Sequence, residues 1–122
     1  MQHESIEQEK LFRWISFVRG KYPELDLMFH IPNGGKRNAK EAYYLKKQGV
    51  KSGVPDLFLP VSRHGYHGLF IEMKFGKNKT TLNQKNYIIA LKEQGYAVNV
   101  CYGWESAQRV IEKYMQEKNN NE

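Results

Sequence analysis

The sequence contains a single cysteine, Cys101, among its 122 residues. One cysteine excludes an intrachain disulfide and a zinc site built from several cysteines, and its apolar neighbours favour a small core residue. The chain has no apolar stretch close to the ~20 residues of a membrane-spanning helix, and its N-terminus lacks the layout of a signal peptide. We therefore expect a cytoplasmic protein that does not associate with membranes.

Acidic residues are the scarcer charged type, with 13 aspartates and glutamates against 19 lysines and arginines. The resulting net charge of +6 favours a polyanionic partner. The basic residues concentrate in two segments, Lys36, Arg37, Lys40, Lys46, Lys47 and Lys51 in the first, and Lys74, Lys77, Lys79 and Lys85 in the second. The length and the 40% hydrophobic content predict one domain over residues 1–117, followed by a polar, disordered tail at 118–122.

Hydrophobic periodicity predicts helices and strands in the order α-β-α-β-β-α-β-α. The predicted helices cover residues 5–19, 38–48, 80–94 and 105–116, and the predicted strands cover residues 27–31, 56–59, 69–73 and 96–102. In the second helix, Ala42 and Leu45 are expected to face inward. A right-handed crossover through the third helix would make the last strand parallel to its partner. The sequence thus predicts an α/β fold, a small mixed sheet with helices on both faces.

Two acidic residues interrupt the predicted central strands. Asp56 follows Pro55 at the start of one strand, and Glu72 lies near the end of the next. If these strands form a hairpin, the two carboxylates meet, and Lys74 lies on the face of Glu72 because residues two apart in a strand point the same way. Such a group suits a hard divalent cation and a water directed at a phosphodiester. The alternative is an ordinary ion pair at a strand edge and a Pro-Asp turn.

These motifs resemble the virus-type replication-repair nuclease (VRR-NUC) domain of the PD-(D/E)XK nuclease superfamily. The resemblance is carried by residues 31–37, 49–57, 65–74, 82–84 and 95–98, and it spans most of residues 4–112. It implies a restriction-endonuclease-like core and hydrolysis of DNA phosphodiesters with Mg²⁺ or Mn²⁺. The family includes homodimers that act on branched DNA such as Holliday junctions, and members of this size are typical of phages and bacteria, where they serve replication and repair.

The resemblance also implies roles for individual residues. Asp56, Glu72 and the backbone carbonyl of Met73 would bind the metal, and Lys74 would position the attacking water. Mg²⁺ and Mn²⁺ prefer oxygen ligands and few protein carboxylates, which agrees with this set. Gln84 matches the family's glutamine on the helix that follows Glu-x-Lys. A local role is equally open for Gln84, because it stands at the third position of a capping box begun by Thr81.

The family pattern also includes a glutamate on the first helix, for which Glu4, Glu7 and Glu9 compete. We favour Glu4, as a catalytic acid that reaches the metal through a water, because it shares a helical stripe with Leu11 and Ile15. Glu7 comes second. All three also suit an ordinary acidic first turn.

A phosphate-binding rim is expected around this site. The expected DNA-binding residues are Asn33, Gly34, Gly35, Lys36, Arg37, Lys51, Ser52, Lys77 and Lys79. Two other functions stay open from the sequence, a non-catalytic nucleic-acid-binding module and a sequence-specific restriction-type nuclease.

Overall fold

Helices and strands alternate in the predicted order in this computed structural model, which describes residues 3–32 and 38–116. The elements are α1 (His3–Phe17), β1 (Phe29–His30), α2 (Ala39–Lys47), β2 (Leu57–Leu59), β3 (Leu69–Lys74), α3 (Leu82–Glu93), β4 (Ala97–Tyr102) and α4 (Trp104–Met115). The predicted tail at 118–122 and the basic turn at 33–37 lie outside the described residues. No helix in the described part of the chain is long and apolar enough to cross a membrane.

The four strands form one mixed sheet in the order β1-β2-β3-β4. β2 and β3 form the predicted antiparallel hairpin, in which Leu57 pairs with Ile71. β4 runs parallel to β3, with Met73 opposite Cys101. The fold prediction of a small mixed sheet flanked by helices is confirmed.

The hydrophobic core lies on the sheet face that α1 and α4 cover. Leu69, Ile71 and Met73 alternate along β3 and contribute to this core. The buried residues of the two helices recur at helical spacing, Leu11 and Ile15 in α1, and Ala107, Ile111, Tyr114 and Met115 in α4. Cys101 is buried in the same core, as the sequence predicts.

The opposite face of β3 changes from aromatic to charged along the strand. At its start, Phe70 stacks on Phe58 of β2 with ring centroids 4.2 Å apart, and Tyr96 meets Phe70 edge-on at 5.3 Å. At its end, the same alternation places Glu72 and Lys74 on this face. The charged end of β3 therefore continues from a cluster of aromatic side chains on the same face of the sheet.

Two predictions of local structure are wrong. The strand predicted at 27–31 is reduced to Phe29–His30, because Pro23–Leu27 forms a 3₁₀ helix that buries Leu25. The predicted inward positions of α2 also fail, since Ala42 is exposed and Leu45 is only half-buried. α2 follows the undescribed turn and buries none of its own residues.

Candidate active site

Asp56 stands at the entrance of β2, directly opposite the end of β3. Leu57 pairs with Ile71 in the antiparallel hairpin, so one step further Asp56 comes opposite Glu72. The Oδ2 atom of Asp56 accepts a hydrogen bond of 2.8 Å from the backbone N–H of Met73. This hydrogen bond holds the carboxylate of Asp56 against β3, and its backbone oxygen accepts from the backbone N–H of Ile31.

Glu72 and Lys74 form a buried ion pair at this end of the sheet. Only 4% of Glu72 and 8% of Lys74 is exposed. The Lys74 Nζ atom lies 3.4 Å from Glu72 Oε2. Glu72 and Lys74 therefore lie on the same face of β3, as predicted. Their ion pair is buried, unlike an ordinary salt bridge at an exposed strand edge.

Gln84 joins the start of α3 to Glu72. Its side-chain Oε1 accepts from the backbone N–H of Thr81 at 2.8 Å, and the Thr81 hydroxyl accepts from the backbone N–H of Gln84 at 3.2 Å. The same amide donates through Nε2 to Glu72 Oε2 at 2.9 Å. The capping role and the contact with the site thus coexist, since one uses the oxygen and the other the nitrogen of a single amide.

The pKa values of both carboxyl groups are raised. Burial first, and the charge of Asp56 second, raise the pKa of Glu72 from 4.5 to about 7, although Lys74 acts to lower it. Burial also raises the pKa of Asp56, against the lowering effect of the hydrogen bond from Met73. The site therefore places two mutually repelling carboxyl groups in a poorly solvated position.

The first-helix glutamates have different partners. Glu4 accepts a hydrogen bond of 3.3 Å from the Asn78 side chain, and its charge raises the pKa of Asp56. Glu7 accepts instead from the backbone N–H of Trp104 at 3.0 Å, which caps the start of α4. Glu9 is exposed. Among the three, the geometry brings Glu4 under the electrostatic influence of the site and gives Glu7 a structural contact between helices.

The loop before β2 is held against α3. Ser52 Oγ accepts a hydrogen bond of 3.0 Å from the Asn83 side chain. Gly53 has a φ of +92°, and a Cβ atom there would lie 2.6 Å from the backbone oxygen of Asn83. Only glycine allows this approach. Lys51 beside it is exposed, as are Lys77 and Lys79 after β3, whereas Asn33, Gly34, Gly35, Lys36 and Arg37 lie outside the described residues.

The family model of the VRR-NUC domain matches residues 2–105. The chain belongs to the VRR-NUC family. It is also similar to a solved structure described as "VRR_NUC domain protein", with 34% sequence identity and a TM-score of 0.78 over 93% of this chain and 88% of that chain. No curated protein matches the chain. The sheet and its helices are therefore a nuclease-type α/β core.

Sequence reasoning missed one polar neighbour of this VRR-NUC site. His30 lies on β1, and its Nδ1 atom is 3.0 Å from the backbone oxygen of Asp56. Its charge lowers the pKa of Asp56. A long-range pairing brings it there, because β1 and β2 are antiparallel with His30 opposite Leu57. To predict this contact from the sequence, one would have to know the register between β1 and β2, since His30 and Asp56 are 26 positions apart.

The donor set of this VRR-NUC domain fits a hard divalent cation with few protein ligands. In the described ranges, no group of three or more His, Cys, Asp and Glu side chains is arranged to hold a metal. Two carboxylates are present, and Mg²⁺ commonly binds one or two while it keeps several waters. Burial is the largest cause of the raised pKa values of Asp56 and Glu72, and a bound cation would favour the ionised form of both groups.

Proposed function

We propose that this VRR-NUC domain is a Mg²⁺- or Mn²⁺-dependent endonuclease that hydrolyses phosphodiester bonds in branched DNA. The observation that carries the proposal is that Asp56 and Glu72 come opposite each other, beside Lys74, at a buried end of the sheet. Burying charged groups is costly unless they are paired or bound to metal. Lys74 supplies one positive charge for two carboxylates, so a cation would complete the compensation.

In this proposal Asp56, Glu72 and the Met73 backbone carbonyl would hold the ion, and Glu4 would reach it through a water. When bound, the ion would polarise the phosphate and lower the pKa of a coordinated water. The oxygens of the two carboxylates are already oriented, Asp56 by the Met73 N–H and Glu72 by Gln84. The site is therefore preorganised to a degree that flexible surface acids would not be.

Lys74 has the second chemical role. Its ammonium is buried and lies on the same face as Glu72, 3.4 Å from the carboxylate. A fixed positive charge in a poorly solvated site stabilises negative charge that develops on a phosphate. The ammonium also donates hydrogen bonds, so it would orient the attacking water toward the phosphorus.

The proposed substrate follows from charge and size. The net charge of +6 and the exposed Lys51, Lys77 and Lys79 suit a DNA backbone. One 122-residue chain covers little DNA, so a resolving reaction at a four-way junction would take two sites in a symmetric homodimer. Light scattering on the purified protein should give the mass of a dimer, and a monomer bound to junctions would remove this part of the proposal.

The test is cleavage of labelled linear duplex, single strand, flap, fork and four-way junction with Mg²⁺, Mn²⁺ or EDTA. We expect metal-dependent cutting of the branched substrates, lost in Glu72→Ala. Glu9→Ala removes an exposed acid from the same protein and should cut like the wild type. Binding without cleavage under either metal would contradict the enzymatic proposal and favour a DNA-binding module. Cutting that follows sequence in linear duplex would favour a restriction-type nuclease.

A further inference from the structure

The helix α2 is folded although none of its residues is fully buried. It has nine residues, none of them buried, in the described part of the chain. Helices of this length are marginal in water unless packing supports them. Local capping contributes here, because the Asn38 side chain accepts from the backbone N–H of Glu41 at 2.8 Å and donates to its carboxylate at 3.1 Å. Within the described residues, α2 is thus a capped helix whose surface is largely left open to a partner.

The exposed surface of α2 combines adjacent aromatic rings with lysines. Tyr43 and Tyr44 are 57% and 49% exposed, and their rings meet edge-on at 5.4 Å. The Lys47 ammonium lies 4.9 Å from the Tyr43 ring centroid. From residue 38 to residue 51 the basic residues are Lys40, Lys46, Lys47 and Lys51, and the one acidic residue is Glu41, already bonded to Asn38.

We propose that α2 is a stacking element that binds unpaired bases of branched DNA, with Tyr43 and Tyr44 against the bases and the lysines along the phosphates. Exposed aromatic side chains within a basic groove are the usual means of holding single strands, since every base has a π face. Paired bases already stack on one another, so the rings would select unpaired positions. The inference rests on the proposed function and names the part of the substrate that α2 recognises.

Charge favours DNA over a second copy of the chain as the occupant of α2. In a two-fold dimer built by packing α2 on the α2 of a second copy, the lysines of α2 would face lysines. Like charges placed together across an interface are unfavourable. A nucleic acid instead brings phosphates to the lysines and flat bases to the tyrosines.

The position of α2 suits a strand that continues to the candidate active site. Ser52 is five positions after Lys47 in the chain, which limits the distance between their Cα atoms to about 18 Å. Ser52 is hydrogen-bonded to Asn83, the neighbour of Gln84, which contacts Glu72. The limit of about 18 Å corresponds to roughly five base-pair steps of B-DNA at 3.4 Å per step. One branched DNA could therefore contact both α2 and the candidate active site.

The experiment compares DNA binding of the wild type and Tyr43→Ala/Tyr44→Ala by fluorescence anisotropy in EDTA, where no metal-dependent cleavage occurs. We expect the double variant to lose about tenfold or more in affinity for a fork with single-stranded arms, as for loss of base stacking, and less than threefold for a blunt duplex. Alanine is a better helix former than tyrosine, so α2 should persist, and circular dichroism verifies this.

Two controls separate stacking from general effects. Phe17→Ala removes an aromatic side chain that is 80% exposed at the C-terminal end of α1. This variant should bind both DNAs like the wild type. Lys46→Ala should weaken both DNAs by a similar factor and reduce the salt dependence by about one counterion. An equal loss for fork and duplex in the tyrosine variant would overturn the proposal. So would a dimer-to-monomer change in its mass, because α2 would then be covered by a second copy.

This test is separable from that of the proposed function. If binding of the fork depends on the tyrosines but no metal supports cleavage, the stacking role stands and the enzymatic proposal fails. If cleavage is normal and the fork preference survives the double substitution, only the stacking role fails.

Discussion

Metal binding should weaken strongly as the pH falls from 8 to 5.5, because a proton competes with the metal at Glu72. The pKa of Glu72 in the metal-free protein is about 7 instead of its ordinary 4.5. With that pKa, the ionised fraction of Glu72 falls about thirtyfold between pH 8 and 5.5, and the apparent affinity should follow it. An ordinary glutamate would change by only about a tenth over the same range.

The assay is calorimetric titration of Mn²⁺ into the metal-free protein, in pairs of buffers with different ionisation enthalpies. Binding should release about one proton at pH 6 and almost none at pH 8.5. Lys74 lowers the pKa of Glu72, so Lys74→Met should move the midpoint of this dependence to higher pH. An affinity that varies less than twofold between pH 5.5 and 8, with no proton release, would refute the reasoning.

Three further predictions concern stability and the contacts around the site. The folded-state pKa of Glu72 is raised from 4.5 to about 7. Its contribution to the stability of the metal-free protein is therefore greatest below pH 4.5 and falls as the pH rises through 7, by up to roughly 3 kcal/mol. Urea unfolding should show this loss in the wild type and much less of it in Glu72→Gln, and equal pH profiles would contradict the prediction. Thr81→Ala and Gln84→Ala should each lower the free energy of unfolding by about 1 kcal/mol through loss of the helix cap. Only Gln84→Ala should also lower the cleavage rate, at least tenfold, since of the two residues only Gln84 contacts Glu72. Equal cleavage rates in the two variants would contradict a role of Gln84 in positioning Glu72. Gly53→Ala should lower the melting temperature more than Gly49→Ala. Both glycines have positive φ, but of the two only Gly53 would bring an added Cβ atom within 4 Å of another residue. Equal melting temperatures in the two variants would contradict the close approach of Gly53 to α3.

The last three strands and the central acids were predictable because their signals are local. Asp56 and Glu72 interrupt apolar runs, and the period of two along a strand places Lys74 with Glu72 without knowledge of the rest of the chain. Gln84 could be assigned two roles from the sequence alone, and the structure shows both contacts. The crossover to β4 follows from a general rule of handedness.

The choice among the first-helix glutamates depended on contacts that the sequence does not encode locally. Glu4 and Glu7 both lie on stripes that include Leu11, so helical periodicity does not separate them. The distinction comes from Trp104, which is 97 positions from Glu7 and supplies the backbone N–H that Glu7 accepts. His30 was missed for a similar reason, because only the β1–β2 register brings it beside Asp56.

The exposure of α2 was unpredictable in a different way. Periodicity within α2 assigned Ala42 and Leu45 to an inward face, yet a periodic pattern reports a face only if some element packs on it. In the described structure Ala42 is exposed, and Tyr43 and Tyr44 are exposed as well. In α4, by contrast, Ala107, Ile111, Tyr114 and Met115 are buried, because α1 and the sheet provide the packing surface.

We propose that Asp56 and Glu72 together hold the divalent cation that supports DNA cleavage. The most direct test is the initial rate of incision of a labelled fork as Mn²⁺ is titrated, in the wild type and in Asp56→Asn, which keeps the shape of the side chain and an oxygen that can accept from Met73. We expect saturable, EDTA-sensitive incision in the wild type and a loss of at least a hundredfold in the variant at saturating Mn²⁺. Incision that persists in EDTA, or that Asp56→Asn leaves unchanged, would contradict it.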